Sequence, residues 1–127
     1  MKIYVVHFLN CYKDGTSSVK IQNAYADEIK AYITAIIFNL FDENNHSRLN
    51  SEELKMVDMS LEDLNSNLRD LLKELNEPKT LSESLESLKF EDLKELYNWL
   101  FFFHCSRSVF GDSSIAEISE CNLEDMI

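Results

Sequence analysis

The residues best suited to nucleophilic chemistry are two pairs of cysteine and histidine. His104 and Cys105 follow three consecutive phenylalanines, and His7 lies on the first apolar segment, close to Cys11. A cysteine nucleophile needs a base within hydrogen-bond reach and an electropositive setting that lowers the pKa of its thiol. The sequence around Cys105 has no glycine-supported nucleophile turn and no basic residue beyond Arg107. We therefore interpret the thiols as buried structural groups and expect no enzymatic activity.

Adjacent carboxylates are the second candidate for chemistry, because paired acids can perform acid–base catalysis. Such pairs occur at residues 27–28, 62–63 and 91–92. Neighbouring residues of a helix point about 100° apart, so the two members of each pair do not face one site. These acids are typical of solvated helix faces and of first turns, where they favour the helix dipole.

Oxygen-bearing side chains are concentrated in a polar stretch between two predicted helices. Residues 38–54 resemble an EF-hand: an apolar helix end, a 12-residue loop, and a second helix beginning with Glu-Leu. The resemblance implies that Ca²⁺ would be coordinated by loop positions 1, 3, 9 and 12, which are Asp42, Asn44, Asn50 and Glu53. His46 replaces the expected oxygen ligand at position 5, and Ser47 replaces the glycine at position 6. We therefore expect no bound metal and no other cofactor, with a calcium-binding loop as the alternative.

The densest aromatic block of the chain spans residues 97–110 and covers all sides of a predicted helix. Such a helix is either buried all round or leaves one side exposed as a binding patch. Because aromatic side chains chiefly serve burial, we favour a core role for most of the block. Trp99 and Phe102 are the candidates for an exposed anchor.

Length and composition limit the classes of protein to which the chain can belong. Its 127 residues are enough for one domain, residues 1–127, and hydrophobic residues make up 45% of them. Only 2 Gly and 1 Pro argue against a β-sandwich and a phosphate-binding loop. The 3 cysteines form no metal or disulfide motif, and the N-terminal apolar run is too short for a secretory signal. We expect a soluble, cytoplasmic protein.

Apolar periodicity divides the chain into a β region followed by helices. Residues 3–9 are β-branched and aromatic, residues 19–22 alternate apolar with polar, and Asp14-Gly15 between them is a turn dipeptide. Apolar residues at helical spacing predict a helix over 26–41. Leucine spacing and capping boxes predict further helices over 51–57 and 61–75, one or two helices within 81–104, and a last helix over 114–121. The predicted fold class is α+β and predominantly helical, with an N-terminal β-hairpin packed on four to five helices.

The charge of the chain is strongly negative and unevenly distributed. Asp and Glu number 23 against 12 Lys and Arg, a formal net charge of −11, and the excess lies in residues 42–95 and 112–127. Nucleic acids and anionic membranes repel such a surface, so we expect neither as a direct partner.

The profile of size, charge and compartment resembles bacterial toxin-immunity proteins, which neutralise basic nuclease toxins. The resemblance implies a basic protein partner, and the acids best placed to contact it are Glu52, Glu53, Glu62, Asp63, Asp70, Glu74, Glu117, Glu120, Glu124 and Asp125. An aromatic anchor, Trp99 or Phe102, would supply a desolvated centre. The alternatives are a phage-type inhibitor that mimics nucleic acid against a host nuclease, and an EF-hand-like interaction protein.

Overall fold

Three antiparallel strands form one sheet in the computed structural model, which describes residues 1–41, 47–74 and 78–122, and their side chains except at 21, 22 and 78. The strands are β1 (Lys2–Cys11), β2 (Ser17–Tyr25) and β3 (Ser113–Asn122), in the order β2-β1-β3. β1 and β2 form the predicted hairpin, whose turn places Gly15 at φ 91°, in the left-handed region that glycine tolerates. The prediction of an N-terminal hairpin is therefore confirmed.

Five α-helices lie between the hairpin and the third strand in the described residues. They are α1 (Glu28–Leu40), α2 (Ser51–Met56), α3 (Ser66–Lys73), α4 (Pro78–Glu86) and α5 (Phe90–Arg107), with a 3₁₀ turn at Leu61–Asp63. The α+β class is thus confirmed. Across the described ranges, no helix is both long enough and apolar enough to cross a membrane.

The helix predicted over 61–75 is interrupted, and α4 begins earlier than expected. Ser60 and Asp63 form a reciprocal capping box around the 3₁₀ turn, and the side chain of Asn65 then accepts a hydrogen bond from the N–H of Leu68. These side-chain hydrogen bonds to the backbone compete with a continuous helix, so the chain restarts at α3. α4 starts at Pro78 instead of residue 81, because proline suits the first helical position.

The helix predicted over 114–121 is wrong, because these residues form β3. Ile115 and Ile118 are three residues apart and fit a helix face, but Ile115 pairs with Leu9 and Ile118 with Val6 in the sheet. The two isoleucines therefore point to opposite faces. β3 pairs with β1 from Ser113 to Asn122, and this long-range pairing overrides the local pattern.

The main core lies between the sheet and α5, with α1 in the middle. α1 packs against the strands and against α5, and it contributes the fully buried Ile36 and Leu40. α5 contributes the fully buried Leu96, Leu100 and Phe103. From the sheet side, Phe8 stacks on Phe38 with ring centroids 3.9 Å apart. Burial of these side chains supplies the dominant stabilising free energy of the fold.

Side chains of α1, of α5 and of the segment before α2 bond part of the outer edge of β3. The Asn39 amide bonds both the N–H and the carbonyl of Ala116, at 2.8 and 3.2 Å. The Tyr97 hydroxyl accepts from the N–H of Ile118 at 2.9 Å, and Arg48 donates to the Ser114 carbonyl at 2.8 Å. An edge strand with bonded backbone groups is a poor template for pairing with another chain.

Candidate functional site

Asn65 joins two acidic segments into one surface. Its backbone N–H donates to Glu95 Oε2 at 3.0 Å, and its Nδ2 donates to Asp92 Oδ1 at 2.9 Å. The first half of α5 is thereby held against the start of α3, directly after the 3₁₀ turn that carries two more acids. We call the surface formed by Glu62, Asp63, Glu91, Asp92 and Glu95 the acidic face.

The acidic face belongs to a region with a large excess of negative charge. Residues 51–74 and 90–102 together contain ten Asp and Glu against four Lys and Arg. On the acidic face itself, the described residues include one ion pair, between Glu62 and Arg69, and the Glu62 side chain is 70% exposed. Arg69 offsets one of the five carboxylates that define the face, so the face remains strongly anionic.

An exposed aromatic side chain continues the acidic face along α5. Phe102 follows Glu95 by two helical turns, lies on the same side of the helix, and is 61% exposed. Trp99 is only 8% exposed and stacks on Phe103 with ring centroids 6.0 Å apart. The expectation of a surface anchor at Trp99 is therefore corrected, because its indole belongs to the core. Phe102 keeps the position expected of an anchor.

The remaining predicted contacts are spread over several elements. Glu52, Asp70 and Glu74 are exposed on or just after α2 and α3. Two others are paired with cations of the chain itself: Glu53 with Arg107 at 2.6 Å, and Glu120 with Lys2 at 2.7 Å. Glu117 Oε2 lies 3.2 Å from Nε2 of His7.

Glu117 and Glu120 lie on β3, which packs against α1 and α5. Glu124 and Asp125 lie outside the described residues. The excess of Asp and Glu in residues 42–95 and 112–127 therefore does not form one continuous surface in the described part of the chain. The acidic face is the best-defined part of it.

Asp92 and Glu95 fall within the acidic range 42–95 that the sequence indicates, but the individually predicted contacts included neither of them, nor Asn65. A signal for Glu95 was present, since its seven-residue interval to Phe102 places both side chains on one helix face. Asn65 gave no such signal, because its contacts with α5 span 27 and 30 residues of chain.

The EF-hand-like segment has a helix before and after it, but its described candidate ligands have other roles. Asn50 caps α2 by accepting from the N–H of Glu52 at 2.8 Å, and the Glu53 carboxylate pairs with Arg107. Asp42 and Asn44 fall outside the described residues. A calcium ion at position 12 of the loop would have to displace Arg107 from Glu53.

His104 and Cys105 combine a buried imidazole with an exposed thiol, so the expectation of a buried thiol is wrong for Cys105. His104 is fully buried and its Nε2 lies 2.8 Å from the carbonyl oxygen of Asn39. Burial lowers the pKa of His104 to about 4, and burial raises the pKa of the Cys105 thiol. These shifts disfavour both the imidazolium and the thiolate that a Cys/His nucleophile would use.

Comparison with known proteins identifies no family or function for the chain. The chain matches no protein-family model, no curated protein and no solved structure.

Proposed function

We propose that the protein is a small binding protein that neutralises a basic protein partner through the acidic face and Phe102. The observation that carries this proposal is the placement of Asp92 and Glu95 by Asn65, two turns from an exposed phenylalanine on the same helix. The acidic face and Phe102 together combine oriented negative charge with an apolar side chain available for desolvation.

The physical advantage of this arrangement is preorganisation. Asp92 and Glu95 already accept hydrogen bonds, so less side-chain entropy is lost when a cation of the partner approaches. A surface with one dominant sign of charge also raises the rate of encounter with an oppositely charged protein. Phe102 supplies an aromatic side chain of a type that is enriched in the desolvated cores of protein interfaces.

An immunity protein against a nuclease-type toxin is the biological role that suits these properties best. A nuclease must present a positively charged cleft to bind the phosphate backbone of its substrate. The acidic face is complementary to such a cleft, and covering the cleft would block access of nucleic acid. The described residues contribute negative charge and one exposed aromatic ring to this role, and inhibition by covering a cleft requires no chemical step.

The test begins with capture of a partner on the immobilised full-length chain from a lysate of its own host. We expect a protein rich in Lys and Arg, whose nuclease activity falls when the chain is added. Its association rate should drop at least about tenfold when the salt concentration is raised from about 50 to about 500 mM, because screening shortens the range of attraction. A partner without excess positive charge, or a salt-independent association rate, would reject the proposal.

Matched variants separate the acidic face from net charge. Glu91→Lys reverses one charge on the face, and Glu86→Lys makes the same change at an exposed position of α4. We expect Glu91→Lys and Phe102→Ser each to weaken binding at least about tenfold, with Glu86→Lys close to the native chain. Equal weakening by both charge reversals would mean that overall charge, and not this face, controls binding.

A further inference from the structure

Two of the three arginines of this acidic chain line one cleft, far along α5 from the acidic face. The cleft has a volume of about 420 Å³ and lies among the β1–β2 turn, the start of β3 and the end of α5. This volume falls in the range of about 300–1,000 Å³ that is usual for small-molecule sites. Its lining residues are Asn10, Tyr12, Arg48, Arg107, Asp112, Ser113 and Ser114.

Both guanidinium groups are held in place by contacts with the protein. Arg48 donates to the Ser114 carbonyl at 2.8 Å, and its guanidinium lies 4.7 Å from the centre of the Phe38 ring. Nε of Arg107 lies 2.6 Å from Glu53, and both side chains of this pair are 30% exposed. The two cations also act together on His104, whose pKa is lowered first by burial and then by Arg48 and Arg107. A guanidinium group presents a planar fork of N–H donors that can bond two oxygens of one carboxylate or phosphate group, and this cleft contains two such groups.

A buried hydroxyl in the same cleft lacks a hydrogen-bond partner among the described residues. Ser113 is 5% exposed, and its Oγ has no bonded donor or acceptor there. The neighbouring Ser114 hydroxyl donates to Asn10 at 2.8 Å, and the Asp112 carboxylate accepts from the N–H of Lys13 at 3.0 Å. Buried hydroxyls are normally satisfied, so Ser113 leaves one donor of the cleft lining unused among the described residues.

We propose that this cleft binds a small oxyanion, a phosphate or carboxylate group, between Arg48 and Arg107 with Ser113 as an additional donor. The site extends beyond the proposed protein-binding function, because it uses different residues at the other end of α5. Glu53 and Asp112 beside the arginines favour a compact anion over a highly charged polyanion.

The experiment is a titration of the isotopically labelled full chain followed through backbone amide NMR signals. Sodium phosphate and sodium malonate are the two probes, and sodium chloride at equal ionic strength is the reference. We expect saturable shifts of the Tyr12, Ser113 and Ser114 amide signals. Half-saturation at about 1 mM would be a reasonable affinity for a small anion. Saturable shifts with phosphate would identify the ligand of the cleft as a phosphate group. Saturable shifts with malonate would identify it as a carboxylate group. Linear shifts equal to those in chloride would overturn the proposal.

Arg107→Gln and Ser113→Ala remove donors from the cleft, and Arg69→Gln is the matched control at the third arginine, outside it. We expect about tenfold weaker anion binding for Arg107→Gln, a smaller loss for Ser113→Ala, and native affinity for Arg69→Gln. If Arg107→Gln does not fold, the anion affinities of Ser113→Ala and Arg69→Gln show whether the cleft is the binding site. The assignment would be overturned if Ser113→Ala bound the anion as tightly as the native chain does. It would also be overturned if Arg69→Gln lost as much anion affinity as the cleft variants.

Discussion

The side-chain amide of Asn39 bonds both backbone groups that Ala116 directs away from β1. Nδ2 donates to the Ala116 carbonyl at 3.2 Å, and Oδ1 accepts from the Ala116 N–H at 2.8 Å. Asn39 is fully buried on α1, and Ala116 is fully buried on β3. One asparagine therefore connects the first helix to the last strand and satisfies groups that an edge strand usually offers to solvent.

Replacement of Asn39 by alanine should destabilise the protein severely. The change leaves the N–H and carbonyl of Ala116 buried without partners, and such groups cost about 1–3 kcal/mol each. We expect the free energy of unfolding, measured by urea denaturation, to fall by about 2–4 kcal/mol, with faster hydrogen exchange at Ala116. Asn23→Ala, at an exposed position of β2, is the control and should change stability by less than about 0.5 kcal/mol. A similarly small effect of Asn39→Ala would contradict the structural role.

His104 should make the protein less stable in mild acid. Its folded-state pKa is lowered to about 4 by burial, whereas an unfolded histidine titrates near its ordinary value of 6.5. Between these two values the unfolded chain binds a proton that the folded chain does not, so the free energy of unfolding decreases as the pH falls from about 6.5 towards 4.

The expected contribution is a loss of about 2 kcal/mol between pH 6.5 and 5, measured by urea denaturation at each pH. His104→Gln keeps a side-chain donor for the Asn39 carbonyl but lacks this titration, so its stability should depend less steeply on pH. The same substitution at His7, which is paired with Glu117, serves as the control. Parallel pH profiles for His104→Gln and the native chain would refute the prediction.

Tyr97 should limit stability in alkali. Its pKa is raised to about 12, chiefly by burial, and its hydroxyl accepts from the N–H of Ile118. Above pH 10 the unfolded tyrosine loses its proton while the folded one retains it, so stability is complete below pH 10 and falls as the pH rises towards 12. We expect Tyr97→Phe to cost about 1 kcal/mol at neutral pH through the lost hydrogen bond, and to weaken the alkaline decline in thermal stability. An unchanged alkaline profile would argue against this role.

Asn65→Asp tests the hydrogen bonds by which Asn65 holds Asp92 and Glu95 on the acidic face. Aspartate is as good a helix cap as asparagine, but it would replace the donor that faces Asp92 with a carboxylate. We expect destabilisation of about 1–2 kcal/mol that is partly relieved by high salt, because the added charge repels Asp92 and Glu95. Asn50→Asp is the matched control, since Asn50 caps α2 through its oxygen. The prediction fails if both variants have the same stability and the same dependence on salt.

Phe102 and Trp99 should differ in their effect on folding, although both belong to one aromatic block. Phe102→Ser removes a side chain that is 61% exposed, and we expect a change in stability below about 0.5 kcal/mol. Trp99→Ala removes a side chain that is 8% exposed, and a loss of about 3–5 kcal/mol is typical of a large core truncation. Thermal denaturation of the two variants measures the contrast. A strongly destabilised Phe102→Ser would place this ring in the core instead of on the surface beside the acidic face.

Much of the architecture could be predicted because it depends on local chemistry. Asp14-Gly15 specifies the hairpin turn, the isoleucine spacing specifies α1, and Asn50 caps α2 where the pattern predicted it. The division of the 61–75 segment was less predictable, since the contacts of Asn65 with α5 strengthen a break that the leucine spacing conceals.

The residues that form β3 are compatible with either a helix or a strand when only near neighbours are considered. Their state is decided by pairing with β1, where His7 and Glu117 meet across 110 residues of chain. The same distinction applies to charge. Composition alone predicts an acidic protein, but long-range packing decides that Glu53 pairs with Arg107, that Glu120 pairs with Lys2, and that Asn65 gathers Asp92 and Glu95 into one face. Turns and helix caps depend on interactions within a few residues, whereas strand partners and surface clusters depend on contacts that exist only after the chain has folded.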